Sequence, residues 1–389
     1  MSKKDVLLLF TGGHVTPALA VISELKKRGY SNFLWTGHKF NQQGNTEVSA
    51  EFKLVEEAGI KFINLTTGKL NRKWVLSNFL PSIVSFLKIF VGFFQSLFII
   101  MQYRPRAIIS FGGYIAVPIV ICAWIFRIKI LTHEQTIVTG LANKIISRFA
   151  NKICISWESS KIYFPANKTI LTGNPIRREI FRVEPSDLTK DLDPHKPTVY
   201  ITGGNQGANE INKRVFDFLP NLLQECNIIH QTGNSSVTSD YRKALELKKG
   251  LKGELAIRYA PIDYVGSKEI GDVFNKADIV FARSGANTVS EIMALGKLAI
   301  LMPIPWTSQD EQTKNAKLVE ETGLGFIITQ KDNLPSQKVY QTILLGLNQI
   351  KTGKGFNGKN IDACKEIAKG KIILEAPQNV ADEIENLIT

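Results

Sequence analysis

Residues 281–316 read FARSGANTVSEIMALGKLAILMPIPWTSQDEQTKNA, and the fold is decided here. The run 278–282, DIVFA, has the length and apolar character of a buried strand. Arg283-Ser284-Gly285-Ala286-Asn287 is a glycine-bearing turn, and a helix is expected to open at Thr288. The first N–H groups of a helix lack intrahelical acceptors and carry a partial positive charge, so a strand, a tight turn and a helix N-terminus suit a phosphate. Glu291 is expected in the first helical turn, where a carboxylate accepts two hydrogen bonds from the vicinal hydroxyls of a ribose. The same residues, Thr288-Val289-Ser290-Glu291, also fit a capping box in which Glu291 reaches back to the Thr288 N–H. The sequel favours a ligand. A second apolar strand at 298–302 leads into Pro303-Ile304-Pro305, then Gln309-Asp310-Glu311-Gln312 and Asn315-Ala316. Carboxamides gathered at a strand's C-terminal end belong to the crevice where α/β sheets bind ligands.

The same unit recurs upstream. Strand 198–202 (TVYIT) runs into Gly203-Gly204-Asn205-Gln206-Gly207-Ala208 and a helix to about Gln224. Strands are expected near 227–231 and 254–259, with 260–265 a loop, and helices near 335–347 and 380–388 close the chain. At the other end, strand 5–10 is followed by Thr11-Gly12-Gly13-His14 and a helix over 17–28, with Pro17 in its first turn. The two glycines let the backbone approach a ligand and aim N–H groups at it, while His14 reads equally as the helix cap. Further strands at 33–36, 61–65, 107–110, 129–133, 152–156 and 169–172 alternate with helices. Such alternation means parallel strands with crossover helices. Gly112-Gly113-Tyr114, His133-Glu134-Gln135 and Gly173-Asn174-Pro175-Ile176-Arg177 therefore share one sheet edge with Gly12 and Gly13.

Two segments interrupt the alternation. Residues 74–101, containing IVSFLKIFVGFFQSLFIIM, are apolar almost all the way round and flanked by Lys69, Arg72, Lys73, Arg104 and Arg106. A spanning helix needs about 20 such residues, but one here would cut a strand–helix–strand repeat in two. The two readings are a crossover helix on the sheet and a face that dips into an anionic membrane surface, and one helix serves both on opposite faces. Residues 182–197, RVEPSDLTKDLDPHKP, are polar and proline-containing and read as a linker between domains 1–181 and 198–389, with the last helix a candidate to pack back on the N-terminal domain. Asp191-Leu192-Asp193 resembles a metal-holding carboxylate pair but follows no strand end, and the metal reading is rejected.

Composition narrows the partners. The 389 residues are 44% hydrophobic and 21% charged, an ordinary globular balance sufficient for two domains. Cys122, Cys154, Cys226 and Cys364 lack metal-type spacing and read as reduced core residues of a cytoplasmic protein, and the lysine-rich start runs straight into a strand without a signal peptide. The net charge of +13 asks for an anionic partner. Of nucleic acid, an acidic membrane surface and a phosphorylated substrate, nucleic acid is the weakest candidate, because the sequence shows no zinc-finger spacing, no aromatic RNP-like strand and no dense basic block.

Paired doubly wound, Rossmann-like α/β domains facing across a cleft, each with glycine-rich turns, describe the GT-B architecture. Thr11-Gly12-Gly13-His14 with Pro17-Ala18-Leu19-Ala20, then His133-Glu134-Gln135, Gly173-Asn174-Pro175-Ile176-Arg177, Gly204-Asn205-Gln206-Gly207-Ala208, and Arg283-Ser284-Gly285-Ala286 through Glu291 and Gln312 to Asn315-Ala316, resemble the MurG family in order and spacing over nearly the whole chain. That family transfers N-acetylglucosamine from UDP-GlcNAc to undecaprenyl-linked lipid I, giving lipid II, at the cytoplasmic face of the cell membrane. The resemblance implies that Thr11, Gly12 and Gly13 lie against the donor and that Arg177 pairs with its phosphates, with Asn205 where the family usually has serine. It implies that the Ile262 backbone meets uracil, that Ala286, Asn287 and Thr288 lie beneath the diphosphate, that Val289 and Ser290 belong to the donor site, that Glu291 takes the ribose, and that Gln312 binds sugar hydroxyls. His14 is the implied general base, an imidazole being able to accept a proton at neutral pH. Neither a metal nor a cofactor is implied. The chain departs from the family pattern at Leu9 and Phe10, which replace glycines of the first loop, and at Thr136, which stands where asparagine usually follows His-Glu-Gln and is carried over as a donor contact. His133-Glu134-Gln135 are read as satisfied polar residues at a strand end. A related transferase with another polyprenyl-linked or glycolipid acceptor, an inactive nucleotide-sugar-binding module and an epimerase of UDP-GlcNAc are the competing readings.

Overall fold

The computed structural model describes residues 2–40, 48–68, 79–204, 207–331 and 333–389. It divides the chain into two compact units, one of residues 1–177 with 373–389 and one of residues 178–372. In chain order the first unit contains β1 (Leu8–Thr11), α1 (Val15–Lys27), β2 (Phe33–Gly37), α2 (Ala50–Glu57), β3 (Lys61–Asn64), α3 (Phe79–Tyr103), β4 (Ala107–Ser110), α4 (Ala116–Ile125), β5 (Lys129–Glu134), α5 (Leu141–Phe149), β6 (Lys152–Ile155) and β7 (Thr169–Leu171). The second contains β8 (Thr198–Thr202), α6 (Asn209–Glu225), β9 (Asn227–Gln231), α7 (Asp240–Gly250), α8 (Glu254–Ile257), β10 (Tyr259–Ile262), α9 (Ile270–Lys276), β11 (Ile279–Ala282), α10 (Ala286–Leu295), β12 (Leu298–Leu301), α11 (Glu311–Glu320), β13 (Gly325–Ile327), α12 (Ser336–Thr352) and α13 (Ile361–Gly370). The closing helix α14 (Ala376–Ile388) belongs to the first unit.

Among the described residues both sheets are wholly parallel, in the order β3-β2-β1-β4-β5-β6-β7 and β10-β9-β8-β11-β12-β13. Each order reverses direction beside its first strand, between β1 and β4 and between β8 and β11. Crossovers diverge at such a switch point and leave a crevice at the strands' C-terminal ends. The strands read as continuous apolar runs because helices cover both faces. Thus Phe10 stacks between Trp35 and Phe111 on one side of the first sheet, while Leu9, Leu34 and Ile108 pack against α3 and α4 on the other.

α14 completes the first of these cores. Val380, Ala381, Ile384 and Ile388 pack with Val15, Ala18 and Ile22 of α1, and Arg28 clamps the outside through Asp382 and Glu385 (2.8 Å to Glu385).

Three sequence readings are corrected. The segment 182–197 is held to the second unit. Buried Asp272 of α9 accepts from the Ser186 N–H (3.1 Å) and hydroxyl (2.8 Å) and from Thr189, while Arg258 pairs with Asp193 at 2.9 Å. Ser186, Thr189 and Asp193 thus anchor to this unit while Arg182, Glu184, Asp187, Lys190 and Asp191 stay exposed, and the boundary falls after Arg177. The strand expected at 254–259 is a helical turn at Glu254–Ile257 followed by β10, because Tyr259 to Ile262 pair in register with Ile228 to Gln231. Pro261 is tolerated there since β10 is an edge strand whose outer side needs no donor. Finally, β1 runs on through Thr11, a residue expected in the turn, so the first loop begins only at Gly12, with Leu9 and Phe10 fully buried in the strand as expected.

α3 is apolar on two faces. Ile99, Ile100, Phe93 and Leu97 pack on the sheet and α4. Leu87, Phe90, Val91, Phe94, Phe98 and Met101 recur at helical spacing and remain exposed, Phe94 at 64% and Phe98 at 62%. Trp124, Ile125 and Phe126 at the end of α4 and Leu141 at the start of α5 are exposed too, beside exposed Arg104, Arg127, Lys129 and Arg148. No helix among the described residues is long and apolar enough to cross a membrane. Trp74, Lys69, Arg72 and Lys73 lie outside the described residues.

Candidate functional site

At the switch point of the first unit, the turns after β1 and β4 press backbone against backbone. Gly12 has φ +135°, and a Cβ there would stand 2.8 Å from the Gly112 carbonyl oxygen; one on Gly113 (φ +81°) would stand 2.9 Å from the Gly13 nitrogen. Only glycine permits this approach. The Gly13 N–H donates to the Gly112 carbonyl at 3.0 Å, so that amide is spent inside the protein and does not point outward as expected. Thr11 is fully buried, its Oγ1 without a protein partner.

His14 sits at the N-cap position of α1, but its side chain caps nothing. The capping alternative therefore fails. Burial lowers its pKa from the ordinary imidazole value, which keeps the ring neutral at physiological pH. Behind it, His133 is buried against Phe111, and burial, with a smaller contribution from His14, pushes its pKa down to about 4. Its Nε2–H donates to the Gly173 carbonyl (2.9 Å), and Nδ1 accepts from Gln135 (3.1 Å), which fixes a neutral tautomer. Burial raises the pKa of Glu134, which accepts from the Thr136 N–H (3.2 Å), the Thr136 hydroxyl (3.0 Å) and Asn143 (3.0 Å). His133 and Glu134 are satisfied at the strand end, whereas the buried Gln135 Oε1 has no protein partner. The Thr136 hydroxyl is turned to Glu134 and the Val138 carbonyl, and the residue is 4% exposed. Asn143 also donates to the His133 carbonyl, yet no sequence spacing singled it out.

A second cluster on this edge escaped the sequence reading. The Glu51 carboxylate lies against the α-carbon of Gly37, where a Cβ would come within 2.3 Å of it, and accepts from the Trp35 indole at 2.8 Å. Burial pushes its pKa up to about 7.

In the second unit Gly204 and Gly207 lie against the end of β9. A Cβ on Gly207 (φ +74°) would fall 2.0 Å from the Thr232 carbonyl oxygen, and Gln231 donates to the Gly204 carbonyl at 2.9 Å. Asn205 lies outside the described residues. The Ile262 carbonyl is taken by the Thr232 N–H at 3.0 Å and its hydroxyl at 3.3 Å, which leaves other backbone atoms of that loop for a ligand.

α10 begins earlier than expected. Gly285 is its N-cap, and the first intrahelical bond runs from the Val289 N–H to the Gly285 carbonyl at 3.0 Å. The N–H groups of Ala286, Asn287 and Thr288 are thus those that a helix leaves without an internal acceptor. Thr288 lies inside the helix, so the capping box is not formed, and Glu291 falls in the second turn, 5% exposed. The Val289 side chain packs in the core, and the Ser290 hydroxyl turns back to the Ala286 carbonyl at 2.9 Å.

The turn is bolted to the segment after β12. Ser284 donates to the Gln312 carbonyl (2.8 Å), Asn315 donates to the Ser284 carbonyl (3.2 Å), and the Ile304 N–H donates to the Gln312 amide oxygen (3.0 Å). That last bond turns the amide NH2 of Gln312 into its donor end. Arg283, 8% exposed, ties three strand ends together through the Met302 carbonyl (2.7 Å) and Gln330 (2.6 Å). Arg177 is half-buried at the end of the first unit's β7 loop.

Comparison with known proteins gives this arrangement a lineage. Residues 10–155 match the glycosyltransferase family 28 N-terminal domain and residues 198–369 its C-terminal domain. The chain is 34% identical over 349 residues to the UDP-N-acetylglucosamine–N-acetylmuramyl-(pentapeptide) pyrophosphoryl-undecaprenol N-acetylglucosamine transferase of Clostridium novyi, covering 88% of this chain and 90% of the relative. It is 33% identical over 361 residues to that of Clostridium botulinum, covering 90% and 95%. Among solved structures, MurG of Acinetobacter baumannii aligns with TM-score 0.62 and 25% identity over 98% of this chain and 99% of that one. A UDP-N-acetylglucosamine 2-epimerase of Listeria monocytogenes shares the fold at TM-score 0.62 and 11% identity over 98% and 96%. The two parallel α/β units are those of a GT-B glycosyltransferase, and the chain belongs to the MurG family of N-acetylglucosamine transferases.

Proposed function

We propose that this protein moves N-acetylglucosamine from UDP-GlcNAc to the sugar hydroxyl of undecaprenyl-diphosphate-linked MurNAc-pentapeptide, the step from lipid I to lipid II, and that it works at the cytoplasmic face of the membrane. The observation that carries this reading is the relationship to curated transferases over about nine-tenths of the chain on both sides. The epimerases share only the fold.

On this reading the N–H groups at the start of α10 and the Arg177 guanidinium meet the donor diphosphate, where negative charge grows as the sugar departs. Glu291 takes the ribose hydroxyls, the backbone at Ile262 the uracil, and the Gln312 NH2 group the hydroxyls of the transferred ring. Thr11, Gly12, Gly13, Asn205, Ala286, Asn287 and Thr288 complete the contacts, whereas the side chains of Thr136, Val289 and Ser290 serve packing. The acceptor oxygen attacks the anomeric carbon opposite the diphosphate. The new C–O bond forms as the old one breaks, UDP leaves with the electron pair, and His14 removes the hydroxyl proton, so the configuration inverts. Burial of the imidazole supports this role because the base must be unprotonated before each turnover.

Exposed apolar side chains of α3 and α4 with the neighbouring cations support docking on an anionic bilayer that holds the lipid acceptor. The test is purified protein with UDP-GlcNAc and a lipid I analogue, read by UDP release and by the mass of the disaccharide product. Epimerised donor without transfer, or product only with another polyprenyl-linked or glycolipid acceptor from a panel, would overturn the assignment.

A further inference from the structure

Trp306 stands 72% exposed between β12 and α11. A solitary exposed apolar residue is ordinary on a protein surface, but the segment that carries this one is rigid. Pro303 and Pro305 fix two backbone angles. The Thr307 hydroxyl donates to the Ile304 carbonyl at 3.3 Å, the Asp310 N–H donates to the Thr307 carbonyl at 3.2 Å, and the Gln312 N–H reaches the Thr307 hydroxyl at 3.4 Å. Gln309 and Asp310 both hold φ 56°, an arrangement non-glycine residues adopt only when their surroundings impose it. The same loop is joined to the turn preceding α10 by the Ser284 and Asn315 hydrogen bonds. The backbone that presents this exposed indole is thus held in place, a few residues from the amide that would read the transferred sugar.

A hexosamine ring has hydroxyls and an N-acetyl group around its rim and a flat face of C–H bonds. It carries no charge, so the diphosphate devices do nothing for it. An indole offers the matching flat apolar surface, with one N–H donor at its edge and little conformational entropy to lose. We infer that Trp306 is the platform for the hexosamine ring of the donor, its C–H face on the indole while Gln312 addresses a hydroxyl. The inference rests on the second unit being the UDP-GlcNAc site, and it makes Trp306 a specificity-determining residue for the sugar rather than for the nucleotide.

The full-length protein tests it through Trp306→Ala and Trp306→Phe. Removing the platform raises the KM for UDP-GlcNAc about tenfold and leaves both the Kd for UDP, measured by calorimetry, and the KM for the lipid I analogue within about twofold of the parent. Trp306→Phe retains most of the parent's donor affinity. Of the five tryptophans, Trp306 alone then reports the sugar: fluorescence changes on adding UDP-GlcNAc beyond the change with UDP, and the difference disappears in Trp306→Phe. An unchanged donor KM in Trp306→Ala, or a change confined to the acceptor KM or to vesicle binding, overturns the inference. Should the parent form no product with the acceptor, the proposed reaction fails, while the contrast between UDP-GlcNAc and UDP in fluorescence still decides the role of Trp306.

Discussion

Replacing Phe94 and Phe98 by serine tests whether the outer stripe of α3 is a membrane face. Both residues are more than half exposed, at 64% and 62%, so neither contributes much to folding. Fully burying a phenylalanine side chain is worth roughly 1.5–3 kcal/mol. With the exposed portion entering lipid, each contributes about 1.5 kcal/mol to binding, and the pair about 3 kcal/mol. The double variant should therefore partition onto vesicles roughly a hundredfold more weakly than the parent. Co-sedimentation with phosphatidylglycerol and with phosphatidylcholine vesicles measures this, with far-UV circular dichroism and urea melts as controls. Stability should shift by less than about 1 kcal/mol, since substitutions away from the core are usually mild. Binding of the parent to the anionic vesicles should weaken as salt rises, because Arg104, Arg127 and Lys129 contribute a screened attraction. Parent-like partitioning by a correctly folded double variant would refute the membrane reading of this face.

Glu291→Ala should abolish measurable UDP-GlcNAc binding in calorimetry while the protein melts normally; retained affinity would return Glu291 to a packing role. Gly12→Ala forces a Cβ to within 2.8 Å of the Gly112 carbonyl at φ +135°, and should cost several degrees of Tm in a thermal melt together with most of the activity. Asp272→Ala strips acceptors from Ser186 and Thr189, should cost about 2–3 kcal/mol in urea unfolding, and should expose residues 182–197 to limited proteolysis. His133, held down to about 4, takes up a proton more readily unfolded than folded, so its contribution is complete above about 6.5, is lost as pH falls toward 4, and amounts to about 3 kcal/mol. Glu51, pushed up to about 7, acts with the opposite sign: its stabilisation is complete at acid pH and is lost as pH rises from about 4.5 to 7. Glu51→Gln should therefore gain stability over the parent in urea melts at pH 8 but not at pH 4.

Alternation of apolar runs with glycine turns was enough to read both parallel sheets from the sequence, since a strand buried on both faces advertises itself. Ala107–Ser110, Thr198–Thr202 and Asn227–Gln231 fall where composition put them. β10 was hidden because Pro261 reads as a breaker unless the strand is known to lie at an edge, which only the pairing reveals. The start of α10 was misplaced because Gly285 makes a poor-looking cap beside Thr288, although an N-cap needs only an extended backbone. The site turns at Gly12, Gly207 and Gly285 were visible as glycine after strand. The Glu51 cluster was not, since Trp35, Gly37 and Glu51 meet through tertiary packing with no fixed spacing. The apolar 74–101 segment posed a choice between sheet and lipid that one-dimensional pattern cannot resolve, because the buried and exposed stripes of α3 are equally greasy.

The return of α14 to the first unit has a consequence for biosynthesis. Val380, Ala381 and Ile384 are part of the core that α1 lines, so the ribosome must deliver the second unit before the first can complete that core. During translation the leading half waits with part of its apolar core uncovered, and a premature stop near residue 372 would damage the half of the molecule made first.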